Sequence, residues 1–437
     1  MKHYKTAVTP QQEKRRGAII VLAAVALVMI FAFAAFTVDL GFISVTKNQA
    51  QNAADSASRA AVLSLQDGLG AGSTMTLAEA EVAARDSAVS MMSKHRSGDL
   101  ESTPVDGARD VRFGQRYIDP DTGAWVEQWG VSPYNMVEVT VRRMKEHDSE
   151  VPLFFAPILG HNDADLTATS VAATYPGAGF QIPAGSNDKV HILPFAIDLQ
   201  TWTDYMTDYS NNYSLNRPLD SDMMMASSRN NIFSTTLTDG VFLLPQNGGG
   251  SDDWTQQTFA DNYSYDEVTK TVCDGNDNIP ELNIYPDLDT QLPPGNRGMV
   301  DMGSPNNSTA DVKRQIEEGL NAYDFSFFPN NEIRTDQGPI YLNGDTGISA
   351  GIQNSLEMVV GKESAIPIFT EVTGNGNNAM YTVVKFVGVR LMHSKLSGGP
   401  NKRHVLIQPA PFYSTTVIRG TGMPYADSLL TQPINIR

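Results

Sequence analysis

Five residues from Gly347 to Gly351, GISAG, fit the G-x-S-x-G spacing in which a serine on a strained strand-to-helix turn becomes a nucleophile. An acid and then a histidine should follow in the chain, and Glu363 or Glu371 followed by His393 or His404 supply that order. The surroundings predict something simpler. The repeated strand-helix alternation of an α/β-hydrolase is missing, and the six residues YLNGDT leave no tight elbow before the serine. Asp345 or Thr346 is expected to cap a helix whose first turn holds Ser349. Further upstream, DGNDNIPE (Asp274–Glu281) places oxygen-bearing side chains at alternate positions, as calcium loops do. The sixth position of such a loop needs glycine and has Ile279, and the twelfth needs glutamate and has Tyr285, so an acidic turn is expected. The seven histidines are scattered with no H-E-x-x-H pair, and no phosphate-binding loop is present. The single cysteine, Cys273, excludes an intramolecular disulfide framework and any multi-cysteine zinc site. The sequence therefore predicts no catalytic residue, no metal ligand and no cofactor.

What remains is a question of placement. The 437 residues are enough for two or three folded units. A formal charge of -17 describes an acidic surface that repels phosphate backbones, so nucleic acid is not an expected partner. The charge is uneven: Lys2, Lys5, Lys14, Arg15 and Arg16 stand against Glu13 alone in residues 1–17, a net of +4 that leaves -21 on the remaining 420. Ala18 to Val38 then carries no charge, and as a helix its 21 residues measure about 32 Å, a match to a hydrocarbon core of about 30 Å. Ala32-Phe33-Ala34 offers an A-x-A cut site, but the apolar run continues to Val38 without a break, and retention as a membrane anchor is the expectation. Basic residues before the span put the amino terminus in the cytoplasm, with the bulk of the chain in the periplasm or outside the cell.

Beyond the span, alanines at 50, 53, 54, 57, 60 and 61 fall on one face of a helix. Asp55 and Arg59, four apart, are placed to pair on its outer face. An unbroken helix from Ala18 to Leu65 would measure about 72 Å, with Gly41 as the place for a kink. A second helix is expected after DGLGAGS, opened by Thr76 and Glu79 in a capping box, with Lys94, His95 and Arg96 in its last turn and Gly98 at its end. The alanine face can pack on this second helix or on a neighbouring copy of the chain, and both readings stand.

The basic residues and Gly17 before the span, VDLG at Val38–Gly41, and QNAADSAS at Gln51–Ser58 resemble the amino-terminal segment of the TadE/TadG-like proteins of the tight-adherence (Flp) pilus assembly system. A second stretch, from VRFGQRY at Val111 through NMVEVTVRR and VPLFFAPILG to DLTATSVAAT, is similar to the region that often follows in that family. The resemblance implies a membrane-anchored accessory or minor subunit that contacts the lipid bilayer and other pilus-assembly proteins. It implies family or interaction roles for Gly17, Asp39, Gly41, Gln51, Asn52, Ala53, Ala54 and Asp55. Pilin processing after a glycine relies on glutamate at the fifth mature residue, and here that residue is Leu22, so polymerisation as a main pilin is not expected. Larger members carry a metal-adhesion domain opening in D-x-S-x-S; HILPFAIDLQTW offers Asp198 but has Gln200 and Trp202 in place of the serines.

From Asp110 short alternating segments appear. RDVRFGQRYI and AWVEQW flank the turn DPDTG, and MVEVTVRRM alternates apolar with polar, which predicts a small antiparallel sheet. TYPGAGFQIPAGSND reads as a loop, and residues 205–310 are rich in turn formers. Strands are expected at GPIYLN, AIPIFTEV, MYTVVKFVGVRLM, RHVLIQPA and YSTTVIRG, with helices at STADVKRQIEEGL and ISAGIQNSLEMVVG. The expected fold is α+β: a single transmembrane helix extended into a helical stem, a small antiparallel sheet, then a mostly β region with a few helices. The expected divisions are 1–17 cytoplasmic, 18–38 transmembrane, 39–98 stem and helix pair, 105–175 sheet, and 189–437 β-rich with long polar loops. An anchored subunit for Flp pilus assembly or surface attachment follows, not an enzyme. The alternatives are an anchored serine hydrolase using Ser349 and an anchored adhesive or glycan-binding envelope protein.

Overall fold

The computed structural model describes residues 16–70, 72–119, 121–212, 241–243, 256–257, 263–275, 277, 279, 281–285, 296–303, 308–398, 403–421 and 429–437. Helix α1 (Arg16–Leu69) is 54 residues long and runs through Gly41 without interruption. It holds no proline and is rich throughout in alanine, the best helix former. At 1.5 Å per residue it extends about 81 Å. Helix α2 (Leu77–Ser93) begins in the expected capping box: Thr76 accepts from the Glu79 N–H at 3.3 Å, and the Glu79 carboxylate accepts from the Thr76 N–H at 2.8 Å. It ends earlier than expected, at Ser93, so Lys94 to Arg96 and Gly98 lie beyond it. The turn is fixed from outside: the Gly98 N–H donates to Gln49 of α1 at 2.7 Å, at a positive φ of 64° where a side chain would run into Thr46.

Four antiparallel strands follow, β1 (Val111–Ile118), β2 (Trp125–Trp129), β3 (Met136–Arg143) and β4 (Leu166–Ala173), ordered β2-β1-β3-β4. The β1–β2 turn is held as its composition suggests, with Asp119 accepting from the Asp121 N–H at 2.8 Å. Alternation decides which side chains meet the helices. Val137, Val139 and Val141 of β3, with Leu166, Ala168 and Ala172 of β4, pack into one core with Ala50, Ala53, Ala54, Ala57 and Ala61 of α1 and Ala80, Ala84 and Ala88 of α2. The eight alanines of the two helices are fully buried, and Ala60 is half-buried at the flank. Of the two readings of the alanine face, the one within the chain is seen, with α2 and the sheet together covering it. The Asp55–Arg59 pairing is replaced: Asp55 accepts from Gln51 at 2.9 Å, and Arg59 donates to Asn435 at 2.5 Å.

That last contact comes from a fifth strand. Ile434–Asn435 pairs antiparallel with β4, Ile434 opposite Ala173, and the N–H groups of Val171 and Ile436 bond across at 3.0 and 2.8 Å. Asn435 also donates to Ser170 at 3.1 Å, and Ser170 meets Ser58 of α1 at 3.2 Å.

The remaining described residues are mostly β. Strand Met380–Lys395 pairs with Glu363–Thr373 along one edge, and with Ile340–Thr346 and then His404–Pro409 along the other. Its core joins Phe195, Ile197, Trp202, Ile366, Val387, Leu391 and Ile407. The helix Thr309–Glu318 starts from Ser308 as expected. Two expectations are corrected. Gly177–Gln181, read as loop, is a strand between Glu332–Arg334 and Val417–Arg419. A side chain at Gly179 would fall on the Ile333 carbonyl, so glycine is what lets these strands close. YSTTVIRG, read as one strand, divides into Phe412–Ser414 and Val417–Arg419, which join different sheets. The fold class is α+β, as the sequence predicts.

Near the helix Thr309–Glu318, partial burial and the carboxylates of Asp311, Asp345 and Asp324 push the Asp301 carboxyl up to about 6. A folded-state value above the unfolded one, about 3.9, means that stability falls as pH rises from about 4 to about 6 and stays reduced above that. Asp301→Asn is therefore expected to raise the melting temperature near pH 8 and to change it little near pH 4. Equal shifts at both pH values would contradict this origin.

Candidate functional site

The residues of the Tad-like motif fall into two places on α1. Asp39, at the end of the uncharged run, is buried, and its carboxylate gathers backbone donors from a segment 115 residues further on. The Phe154 N–H reaches Oδ1 at 2.8 Å, the Phe155 N–H reaches both oxygens at 3.2 and 3.0 Å, and the Ala156 N–H reaches Oδ2 at 2.7 Å. These three groups open the 3₁₀ turn Ala156–Leu159, where free N–H groups leave partial positive charge, so a carboxylate is the right partner. Phe42, one turn along α1, packs edge-to-face on Phe154 with ring centres 5.1 Å apart. The uncharged run LFFAPILG, without strand alternation, is the one trace of this segment in the sequence, and nothing there points to its contact with Asp39.

The second place is the face toward β4. Gln51 donates to the Thr169 carbonyl at 3.1 Å as well as to Asp55, tying α1 to the sheet. Ala53 and Ala54 lie in the shared core, and Asn52 is exposed. Gly17 stands in the first turn of α1. Gly41 is exposed, and nothing lies within 4 Å of where its side chain would be, so packing does not explain it. Ser170 and Asn435 complete this second place, and neither was found by sequence reasoning, because a serine and an asparagine in separate strands carry no spacing signal.

The candidate chemical residues sit in structural roles. Ser349 is itself the cap of the 3₁₀ turn Ala350–Ile352, accepting from the Gly351 N–H at 3.2 Å; this corrects the assignment of the cap to Asp345 or Thr346. Those two bond elsewhere: the Thr346 N–H donates to Asp345 at 2.7 Å, and the Thr346 hydroxyl donates to Asn377 at 3.0 Å. The cleft beside Ser349 is lined by Thr309, Asp345 and Thr346 with no histidine among its described residues. His393 and His404 instead meet each other at 2.7 Å, and His393 stacks on Tyr263. Glu363 pairs with Arg390 at 2.9 Å. Asp198 caps the helix Leu199–Asn212 by accepting the Thr201 N–H at 3.1 Å. Asp277 accepts from Gln408 and the Ile279 N–H, while Asn276, Asn278 and Pro280 of the acidic turn lie outside the described residues. Among the described residues no group of three His, Cys, Asp or Glu side chains is placed to hold a metal ion.

Among the described residues α1 is also the one helix long and apolar enough to cross a membrane, and its most apolar stretch is uncovered by protein. No curated protein matches the chain, and no solved structure does. Two families match. Residues 17–67 match the Tad family of Flp pilus-assembly TadE/G-like proteins, and residues 44–172 match the Tad_C family of Tad-like Flp pilus-assembly proteins. These regions indicate a role in Flp pilus assembly, and the apolar half of α1 fits membrane anchoring. Over residues 17–172 the chain is thus matched, in family and in extent, by the Flp pilus-assembly likeness that its sequence carries.

Proposed function

We propose that the chain is a single-pass, outward-facing accessory or minor subunit of Flp pilus assembly or surface attachment, working by protein contact. The observation that carries this is the division of α1. One continuous helix is bare and apolar in its first half and is the centre of a closed α/β core in its second. A span so joined transmits position from the bilayer to the folded region without a flexible linker. Because the alanine face is closed, partners among the pilus-assembly proteins meet the β-rich region and the outer surfaces of the stem. The net charge of +4 on residues 1–17 supports an amino terminus in the cytoplasm, with the rest beyond the inner membrane.

The exposed thiol of Cys273 provides the test of orientation. In spheroplasts, a membrane-impermeant maleimide is expected to label Cys273 at once. A Cys273→Ser, Thr6→Cys chain is expected to label only after permeabilisation; the reverse pattern would refute the orientation. Deleting the gene is expected to abolish pili, with rescue by the full chain and not by one lacking residues 18–38. Normal piliation in the deletion strain would remove the assembly role.

A further inference from the structure

The segment held by Asp39 has an unusual surface. Val151–Pro152 pairs with Asp163–Ala164, so residues 153–162 form the end of a hairpin. That end, LFFAPILGHN, contains no acidic residue, lysine or arginine. Phe154 is 61% exposed, Ile158 83% and Leu159 79%. Four large apolar side chains, counting Phe155, point outward within six residues. Water is a poor neighbour for such a tip.

Its location supplies another neighbour. An open cleft of about 600 Å³ lies between the tip and α1, lined by Leu153, Phe155, Ile158 and Leu159 on one side and by α1 residues from Val28 to Ile43 on the other. Asp39 is the one charged residue among those lining it. Val28 lies ten residues before Val38, about 15 Å into the apolar run. A tip that shares this cleft runs alongside the last part of the span, below the level of Asp39.

Backbone at that depth must satisfy its own polar groups, since hydrocarbon offers no partners. Here it does. The Leu153 N–H bonds to the Asn162 carbonyl at 3.0 Å, those of Phe154, Phe155 and Ala156 go to Asp39, and Pro157 has none. Ile158 donates to Phe155 at 3.1 Å, Gly160 to Pro157 at 3.0 Å, and His161 to Ala156 at 3.1 Å.

We propose that residues 153–160 are a second membrane element, a hairpin tip seated in the outer leaflet beside α1, with a lipid acyl chain filling the cleft between them. The proposal rests on α1 being a membrane span, and continuity with that span is why hydrocarbon, not a protein, is the occupant. Asp39 then sets the depth of the tip, joining it to the helix at the boundary where charge is still tolerated.

The full chain, with Cys273→Ser, can be placed in phosphatidylcholine–phosphatidylglycerol vesicles carrying an environment-sensitive fluorophore at one of three sites, Ile158→Cys, Val28→Cys or Val268→Cys. Val268 is 91% exposed on a distant turn and serves as the water-facing control. Lipids bearing a nitroxide on the acyl chain are the quencher. The probe at 158 is expected to emit at shorter wavelength than the one at 268 and to lose fluorescence as the one at 28 does. Quenching at 28 without quenching at 158 would overturn the proposal and leave the anchor intact. Quenching at neither would remove the anchor reading itself, and the proposal with it. A site at 158 that is unquenched in vesicles but shielded from thiol reagents in piliated cells would assign the tip to a protein partner and likewise overturn it.

Discussion

Asp39→Ala is expected to free the 153–160 tip from α1. Amide exchange at Phe154, Phe155 and Ala156 should accelerate about tenfold to a hundredfold, the range that a hydrogen bond to a charged acceptor supports. The reason lies in the count of donors. Three N–H groups converge on one carboxylate, and alanine offers them nothing. Asp39→Asn keeps one oxygen but turns an N–H₂ group toward N–H donors, so it should give an intermediate loss. The same variants should lower the melting temperature of the full chain in detergent, alanine more than asparagine. Exchange at these amides that stays at the unsubstituted rate in Asp39→Ala would mean that the tip is held by its apolar contacts with Phe42 and Ile43 instead.

Ala57→Leu is the second large effect, at about 3 kcal/mol of lost stability. Ala57 is fully buried where α1 lies between α2 and the sheet, and small side chains on all three surfaces set their spacing. A leucine there needs room that Ala80, Ala84 and Ala88 on one side and Ala168 and Ala172 on the other do not leave. Asn52→Leu, on the exposed side of the same helix, should stay within about 0.5 kcal/mol. Urea unfolding of the full chain in detergent separates the two. If the alanine face joined separate copies instead, Ala57→Leu would dissociate an oligomer and leave the unfolding midpoint unchanged.

The features that could be read from the sequence are those with local causes. Thr76 and Glu79 sit three residues apart and bond each other; Met136–Arg143 alternates because one side faces the helices; Ala18–Val38 is uncharged over a length that fits a hydrocarbon core. The features that could not be read depend on residues far away in the chain. Asp39 stands out through its VDLG setting, yet its partners lie 115 to 117 residues further along the chain. Arg59 has Asp55 one turn away and bonds Asn435 instead. Glycine at 177 and 179 reads as loop until the strands on either side are present to require close approach. Ser349 satisfies a nucleophile pattern by spacing alone, and its hydroxyl is occupied by the backbone two residues on.

The bonding of Asn435 to Ser170, 265 residues apart, has a consequence for the order of folding. Synthesis delivers β4 long before the strand that lies along it, so through most of that interval the sheet carries a bare edge with unpaired amides and carbonyls. Long-range pairing of this kind is slow to form, and a waiting edge is a template for whatever strand arrives first. Crowded production of many copies at once therefore favours exchange of the 434–437 segment between neighbours, and the shielding of β4 during that delay becomes a task for whatever receives the emerging chain.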